Sequence, residues 1–375
     1  MERWDDGVAP PRDFYNSTAD WAAAAYPDQK SAAGVYRKCP VEPFHYDPGR
    51  FQQPIDPLMW TMYGEPLPYY IAFMPDGRVW GENGAVISPD NKLVWDVSHE
   101  MYRLPQEHSV FEQKRLPPVT RLPGTAALLT YVGSSNYFFW MFDVLARMEL
   151  LQREGITVDK YLINQKRQLF QDETLAALGV TPDRLIECRS DTHICASNLV
   201  ITPPVEYSGH VQKWVCDFLR ERFAGWRTAV SGRKGEHRLY ISRSGARYRH
   251  VRNEEEVVAF LERHGFTRIH CEEYSVAEQV RMFASAQVIV APHGAGLANI
   301  VFCRPGTKVV EFFSPHWVRQ TYWMISCHCD LDYYYLLGEK RELVYDVWSI
   351  RHHIQDDIVV DLGRLAELLK LAGCT

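Results

Sequence analysis

Pro292-His293-Gly294-Ala295-Gly296 is the segment whose residue types and spacing point most directly to chemistry. It follows an apolar run at 288–291 that reads as a buried strand, and it precedes a short apolar helical segment at 297–302. Glycines between a strand and a helix let the backbone approach a bulky anion, and helix-end amides can hold phosphate. The segment is neither the GxGxxG dinucleotide fingerprint nor the phosphate loop ending in Gly-Lys-Ser/Thr. The amides of Gly294, Ala295, Gly296 and Leu297 are candidates for a diphosphate. His293 either contacts phosphate or sugar or orders the loop. Asn299 lies one turn on, and the next strand, 308–313, carries Glu311 near its carboxyl end. That carboxylate either binds ribose hydroxyls or serves as a buried structural acceptor.

A second group begins at Arg238-Leu239-Tyr240-Ile241-Ser242-Arg243. Ser242 and Arg243 emerge from the end of a strand, with Arg247 and Arg249 in the loop beyond. A guanidinium offers a rigid fork of donors to phosphate, and a serine hydroxyl can join it. Arg243 is the first candidate, then Arg247, then Arg249; the plain alternative is solvated loop arginines.

A third group lies in the first half: Asn136, Tyr137, Trp140 and Asp143, with helical spacing that places Asn136, Trp140 and Asp143 on roughly one side. Asp143 can take a proton from an acceptor hydroxyl or can pair with Arg147 four residues on. His210, in Tyr207-Ser208-Gly209-His210, is either a site residue or a helix cap. No metal is expected. Cys327-His328-Cys329-Asp330 lacks a second ligand pair, Asp330-Leu331-Asp332 is a short chance-prone match, and His352-His353 lacks ligand spacing. There is no HExxH and no GxSxG.

These groups need strands and helices to hold them. The chain of 375 residues can bury two cores. A formal net charge of −6 argues against a broad nucleic-acid surface. No apolar run approaches the ~20 residues of a membrane span, and the start shows no signal-peptide pattern. Nine cysteines without compact spacing read as free thiols. Residues 1–118 read as an irregular, β-containing lobe, with Pro75-Asp76-Gly77 as a hairpin turn. Strands and helices then alternate, giving α/β domains at 119–230 and 237–345 and a helical segment at 346–375. Strands are read at 126–132, 160–163, 185–188, 198–201, 238–242, 267–270 and 331–337. Helices are read at 253–264, with Asn253 as its cap, at 276–285 and at 318–326, besides one ending at Gly155.

Taken together, Arg243, the Asn253-Glu254 pair and the block PHGAGLANIVFCRPGTKVVEFF resemble glycosyltransferase family 61, which includes capsular-polysaccharide, O-linked N-acetylglucosamine and xylan-arm transferases. The resemblance is strongest over 238–315 and extends more weakly back to Asn136. It implies a GT-B-like architecture, two Rossmann-like domains facing a cleft. It also implies a nucleotide-sugar donor, usually UDP-linked, with inversion at the anomeric carbon and generally no metal or cofactor. By that resemblance Arg243 and the turn Gly294–Gly296 hold the donor diphosphate, with Asn299 and Glu311 in the same donor-side constellation; the residues themselves add Ser242, Arg247, His293 and Leu297 as donor-side candidates. The helix bearing Asn136, Tyr137, Trp140 and Asp143 then lines the acceptor side, to which the reading of the residues adds His210. Phe139 stands where family members often carry a histidine, which leaves Asp143 and His293 as candidate bases.

The expected activity is transfer of a sugar from a nucleotide donor to a hydroxyl of a saccharide or glycan, in the cytoplasm or at the inner face of the membrane. The competing readings are a carbohydrate- or nucleotide-binding module without activity on the same scaffold, and a sugar-nucleotide isomerase or epimerase.

Overall fold

Strand-forming and helix-forming runs alternate along the chain, and the computed structural model arranges them around two sheets. It describes residues 7–40, 69–165, 167–204, 210–227, 237–339 and 355–374. They divide into two compact units, one of 7–40 and 69–204, the other of 210–374. Residues 207–209 and the pair His352-His353 lie outside the described residues.

The first unit holds a ten-stranded sheet: β1 (Phe14–Tyr15), β2 (Tyr36–Lys38), β3 (Tyr70–Pro75), β4 (Arg78–Trp80), β5 (Ala85–Ile87), β6 (Leu93–Val94), β7 (Thr120–Leu128), β8 (Lys160–Asn164), β9 (Leu185–Cys188) and β10 (His193–Ile201). β10 is the pivot. It runs parallel to β7, which continues the parallel order to β8 and β9. Its other edge takes β3 and then β4, both antiparallel.

The expected hairpin at Pro75-Asp76-Gly77 is therefore not one. β3 and β4 follow each other along β10, and the tripeptide is a kink with Asp76 at a φ of 53°. The Gly77 amide bonds back to the Met74 carbonyl, and the Gly77 carbonyl receives the Ala196 amide. The real hairpin is the next one, where β4 pairs antiparallel with β5. β7 also starts earlier than expected. The strand expected from 126 runs from Thr120, and a register shift between Ala196 and Asn198 absorbs Pro123 and Gly124. Helices Thr18–Ala25 (α1) and Gln29–Val35 (α2) precede the sheet. The helix expected to end at Gly155 starts as one turn, Tyr137–Phe139, widens to a π segment at Trp140–Val144, and continues as α3 (Leu145–Arg153). α4 (Leu169–Ala177) follows β8.

The second unit opens with α5 (Lys213–Arg222) and is built on five strands: β11 (His237–Ile241), β12 (Phe266–Ile269), β13 (Ala286–Pro292), β14 (Lys308–Phe313) and β15 (Asp332–Leu337). Their order is β12-β11-β13-β14-β15, and every pairing is parallel. Between them lie α6 (Glu254–Glu262), α7 (Val276–Ser285) and α8 (Thr321–His328), with α9 (Leu362–Leu371) closing the chain. Valines and isoleucines in β13 and β14 are wholly buried, as expected of a parallel sheet covered on both faces. α7 starts with a capping box between Ser275 and Glu278. Asn253 does not cap α6 with its side chain. Its amide instead brackets Val360, donating to the carbonyl at 2.8 Å and accepting the amide at 3.0 Å, and so joins α6 to the approach of α9.

Candidate active site

Because the second sheet is wholly parallel, the carboxyl ends of its strands share one edge, the edge at which open α/β sheets bind ligands. Arg243 and Arg249 follow β11, and His293 follows β13. Glu311 and Tyr333 sit within β14 and β15, and Arg319 lies in the loop between β14 and α8.

Arg243, Arg249 and Arg319 are all half-buried. Among the described residues no carboxylate lies within ion-pairing distance of any of them. Burial, and the positive charge of Arg249 beside it, pull Arg243 down to about 10. Arg319 falls to about 10 for the same two reasons, and burial lowers Arg249 as well. The Nε atoms of Arg243 and Arg249 are buried without a hydrogen-bond partner among the described residues. Arg243 donates to the Tyr248 carbonyl at 3.1 Å, and Arg319 lies 3.9 Å over the Trp317 ring. Clustered cations with unused buried donors are an unfavourable arrangement that an anion relieves.

His293 borders this cluster. Its Nδ1 lies 2.5 Å from Glu311 Oε1, and Glu311 Oε2 accepts the Tyr333 hydroxyl at 2.5 Å. Burial and then the three guanidinium groups hold the imidazole well below its ordinary pKa, so it is neutral at pH 7. Glu311, whose own carboxyl is held well above the ordinary range by burial, fixes the ring through Nδ1 and leaves Nε2 outside that contact. Of the two sequence readings of Glu311, its geometry matches the buried acceptor: it is completely buried and both its oxygens are engaged.

The glycine turn meets this cluster from below. Gly294 is extended, with a φ of 177°, so no unusual backbone angle calls for glycine there. Space does: a β-carbon at 294 would lie 1.8 Å from Arg243 Nη1. A 3-10 helix, Ala295–Phe302, starts at this point, and its first amides have no partner within the helix. Gly296 packs closely against Ile241 and Cys271. Leu297 is core. Asn299 is wholly buried and donates to Gln279 Oε1 at 2.7 Å and to the Gly296 carbonyl at 3.2 Å, which braces the turn from behind. The Ser242 hydroxyl is held by Glu254, which also accepts the Tyr240 hydroxyl at 2.8 Å. Arg247 is exposed.

In the first unit, Asn136 caps its helix by accepting the Phe138 amide at 2.9 Å. Tyr137 is half-buried against Phe170, and Trp140 is buried and donates to Thr174 at 2.8 Å. Asp143 is also wholly buried, with Oδ1 2.7 Å from Arg147 Nε. Arg147 then reaches the carbonyls of Leu128, Leu129 and Thr202, so the pair ties the ends of β7 and β10 together. His210 is in the second unit and is 4% exposed.

Sequence reading ranked Arg249 last among its arginines and passed over Arg319 and Tyr333. The available signal was the loop 314–320, which leaves the end of an apolar strand and contains an arginine. Starting the next helix at 318 instead of 321 hid it. Among the described residues no group of three or more His, Cys, Asp or Glu side chains is placed to hold a metal ion. No helix there is long and apolar enough to cross a membrane.

Comparison with known proteins covers the same ground. A β-1,2-xylosyltransferase, RCN11, of Oryza sativa subsp. japonica is 31% identical over 101 residues, 27% of this chain and 16% of that protein. A β-1,2-xylosyltransferase of Arabidopsis thaliana is 28% identical over 100 residues, again 27% of this chain and 16% of the plant protein. The aligned part is thus a small fraction of either relative. Residues 137–310, just under half of the chain and including Arg243, Arg249, His293 and the glycine turn, match the family model Glycosyltransferase 61.

Proposed function

We propose that the protein is a glycosyltransferase that moves a sugar from a nucleoside diphosphate donor to a hydroxyl of a saccharide, with inversion and without a metal ion. The observation that carries this reading is the group Arg243, Arg249 and Arg319, three guanidinium groups without a carboxylate partner among the described residues, at the carboxyl edge of a parallel sheet. Support also comes from the similarity of residues 137–310 to Glycosyltransferase 61. A UDP-linked donor and a GT-B arrangement are the forms that the sequence resemblance implies.

In the proposed reaction the arginines and the first amides of the 3-10 helix hold the diphosphate. The neutral His293 takes the proton of the acceptor hydroxyl on Nε2 as that oxygen attacks the anomeric carbon. The bond from that carbon to the diphosphate oxygen breaks on the opposite side, which inverts the centre. The leaving group departs as a diphosphate anion, and its growing charge is met by guanidinium groups already in place. Bound diphosphate also offsets the three cations that disfavour an imidazolium, so donor binding prepares His293 to accept the proton. We assign the base to His293 rather than Asp143, because Asp143 is wholly buried and committed to Arg147.

The test is calorimetry with UDP, UMP and uridine on the wild type and Arg243→Ala. Tighter binding of UDP than of UMP, lost in the variant while it stays folded, supports the reading. Equal affinity for all three, or an unchanged variant, overturns it.

A further inference from the structure

A second polar cavity lies in the first unit, away from the arginine cluster in sequence and in sheet. Its volume is about 280 Å³. The β4–β5 hairpin forms one wall through Trp80, Glu82 and Asn83, and the loop 98–109 forms another through Glu100, His108 and Ser109.

Both walls are held in place. The Thr130 hydroxyl donates to the Glu82 carbonyl at 2.8 Å, and the Ser98 hydroxyl accepts the Val86 amide at 2.8 Å. His108 is 2% exposed, and its Nδ1 accepts the Val110 amide at 3.0 Å. The ring proton therefore sits on Nε2, 3.6 Å from Glu100 Oε1. Glu100 accepts the Ser109 amide at 2.9 Å and the Ser109 hydroxyl, and Arg103 Nε lies 3.5 Å away. Trp80 packs its ring against the apolar group around Ile87 and Leu116, yet its Nε1 is buried without an acceptor among the described residues. An indole N–H left unsatisfied in this way is unfavourable unless something in the cavity accepts from it.

The lining chooses among ligand classes. Two carboxylates, Glu82 and Glu100, disfavour a phosphate or an acidic sugar. No set of three metal-ligating side chains is present among the described residues. A hydroxyl-rich neutral ring fits, because each hydroxyl both donates and accepts. It can donate to a fixed carboxylate, accept from an indole N–H and an amide, and rest its C–H face against an aromatic wall. The volume falls just below the ~300–1,000 Å³ of sites that hold drug-sized molecules, which suits one sugar ring.

We propose that this cavity binds a neutral sugar unit, as a saccharide subsite separate from the donor site. Its role in holding an acceptor rests on the proposed transfer reaction; its binding chemistry does not.

The experiment is saturation-transfer NMR on the full chain with methyl glycosides of xylose, glucose, galactose and N-acetylglucosamine. Glucuronate and glucose 6-phosphate serve as charged controls. The variants are Trp80→Phe, which keeps the ring and removes the N–H, Glu100→Gln, and Asn83→Ala in case the change at the half-buried Glu100 disturbs folding. UDP binding is measured in parallel. We expect transfer to at least one neutral glycoside, at least five-fold weaker in Trp80→Phe and in Glu100→Gln or Asn83→Ala, with UDP affinity unchanged. Absence of signal from every neutral glycoside, signal indifferent to the variants, or stronger binding of the charged sugars overturns the proposal. Loss of UDP binding in the wild type would instead strike the transfer reading, so the two failures are distinguishable.

Discussion

Arg243 Nη1 occupies the space that a side chain on Gly294 would need, 1.8 Å from the position of its β-carbon. The two residues come from loops after different strands, so the glycine is required by its neighbour rather than by its own backbone angle. Gly294→Ala should displace the guanidinium and weaken UDP binding by about ten-fold or more, the scale of a lost charge-assisted hydrogen bond. Added to Arg243→Ala it should cost little more, because the two changes remove one thing. Calorimetry on the two single variants and the double variant checks this; fully additive losses would contradict it.

Three cations held together, with no carboxylate partner among the described residues, are a strain on the free protein. Arg319→Gln should therefore weaken UDP binding while leaving the thermal midpoint of the unliganded protein unchanged or raised. Pyrophosphate should raise the wild-type midpoint more than that of the variant. A destabilised variant with normal UDP affinity would mean that Arg319 is structural.

His293→Gln should reduce turnover by about 10²–10⁴-fold, the usual worth of a positioned acid or base, with UDP affinity nearly kept. The pH profile follows from the lowered pKa of His293. A base held neutral stays active until the pH falls through its own depressed pKa, so the acid limb of kcat/KM should lie below the ordinary histidine value of about 6.5. An acid limb above 6.5 that survives in His293→Gln would assign the base elsewhere.

Asp143→Asn should act on stability. The change leaves Arg147 buried without its counter-charge, which typically costs about 3–5 kcal/mol. Urea denaturation should show that loss, and the variant that remains folded should bind UDP normally. A stable variant with a collapsed chemical step would restore Asp143 as a base.

Burial also lowers the pKa of His99, His108, His193 and His328. The unfolded chain takes up these protons near pH 6.5 and the folded chain does so only lower. Their contribution to stability is thus complete above about 6.5 and is lost as the pH falls below it. The urea midpoint should drop between pH 7.5 and 5.5, and less so when His193 or His328 is replaced by glutamine.

What the sequence made legible was local. The apolar runs of β13 and β14, the span of α7 and the glycine turn between strand and helix are written in adjacent residues. Partnerships across the fold were not. Pro75-Asp76-Gly77 has the composition of a hairpin turn, but β10 offers a partner to both flanking strands and the chain runs straight on. Asn253 has the type and place of a helix cap, but Val360, distant in sequence, takes both its hydrogen bonds. Asp143 and Arg147 have helix-pair spacing. Their burial among the strand-end carbonyls, which decides against an open carboxylate, comes from the surrounding sheet. Arg319 was missed because the next helix was started at 318 instead of 321, and its closeness in charge to Arg249 is set by the fold and not by its neighbours in sequence.

The parallel order of the second sheet also bears on how this protein becomes functional. No short segment contains the proposed anion site. Arg243 comes from the loop after β11, His293 from that after β13, Arg319 from that before α8, and Tyr333 arrives only with β15. Each crossover must close before the next strand can register, and such non-local pairing is slow to form. A partly folded chain would therefore have scattered arginines and no binding site. Capture of a diphosphate would then report completion of the whole sheet, and the donor would favour the finished molecule over every precursor.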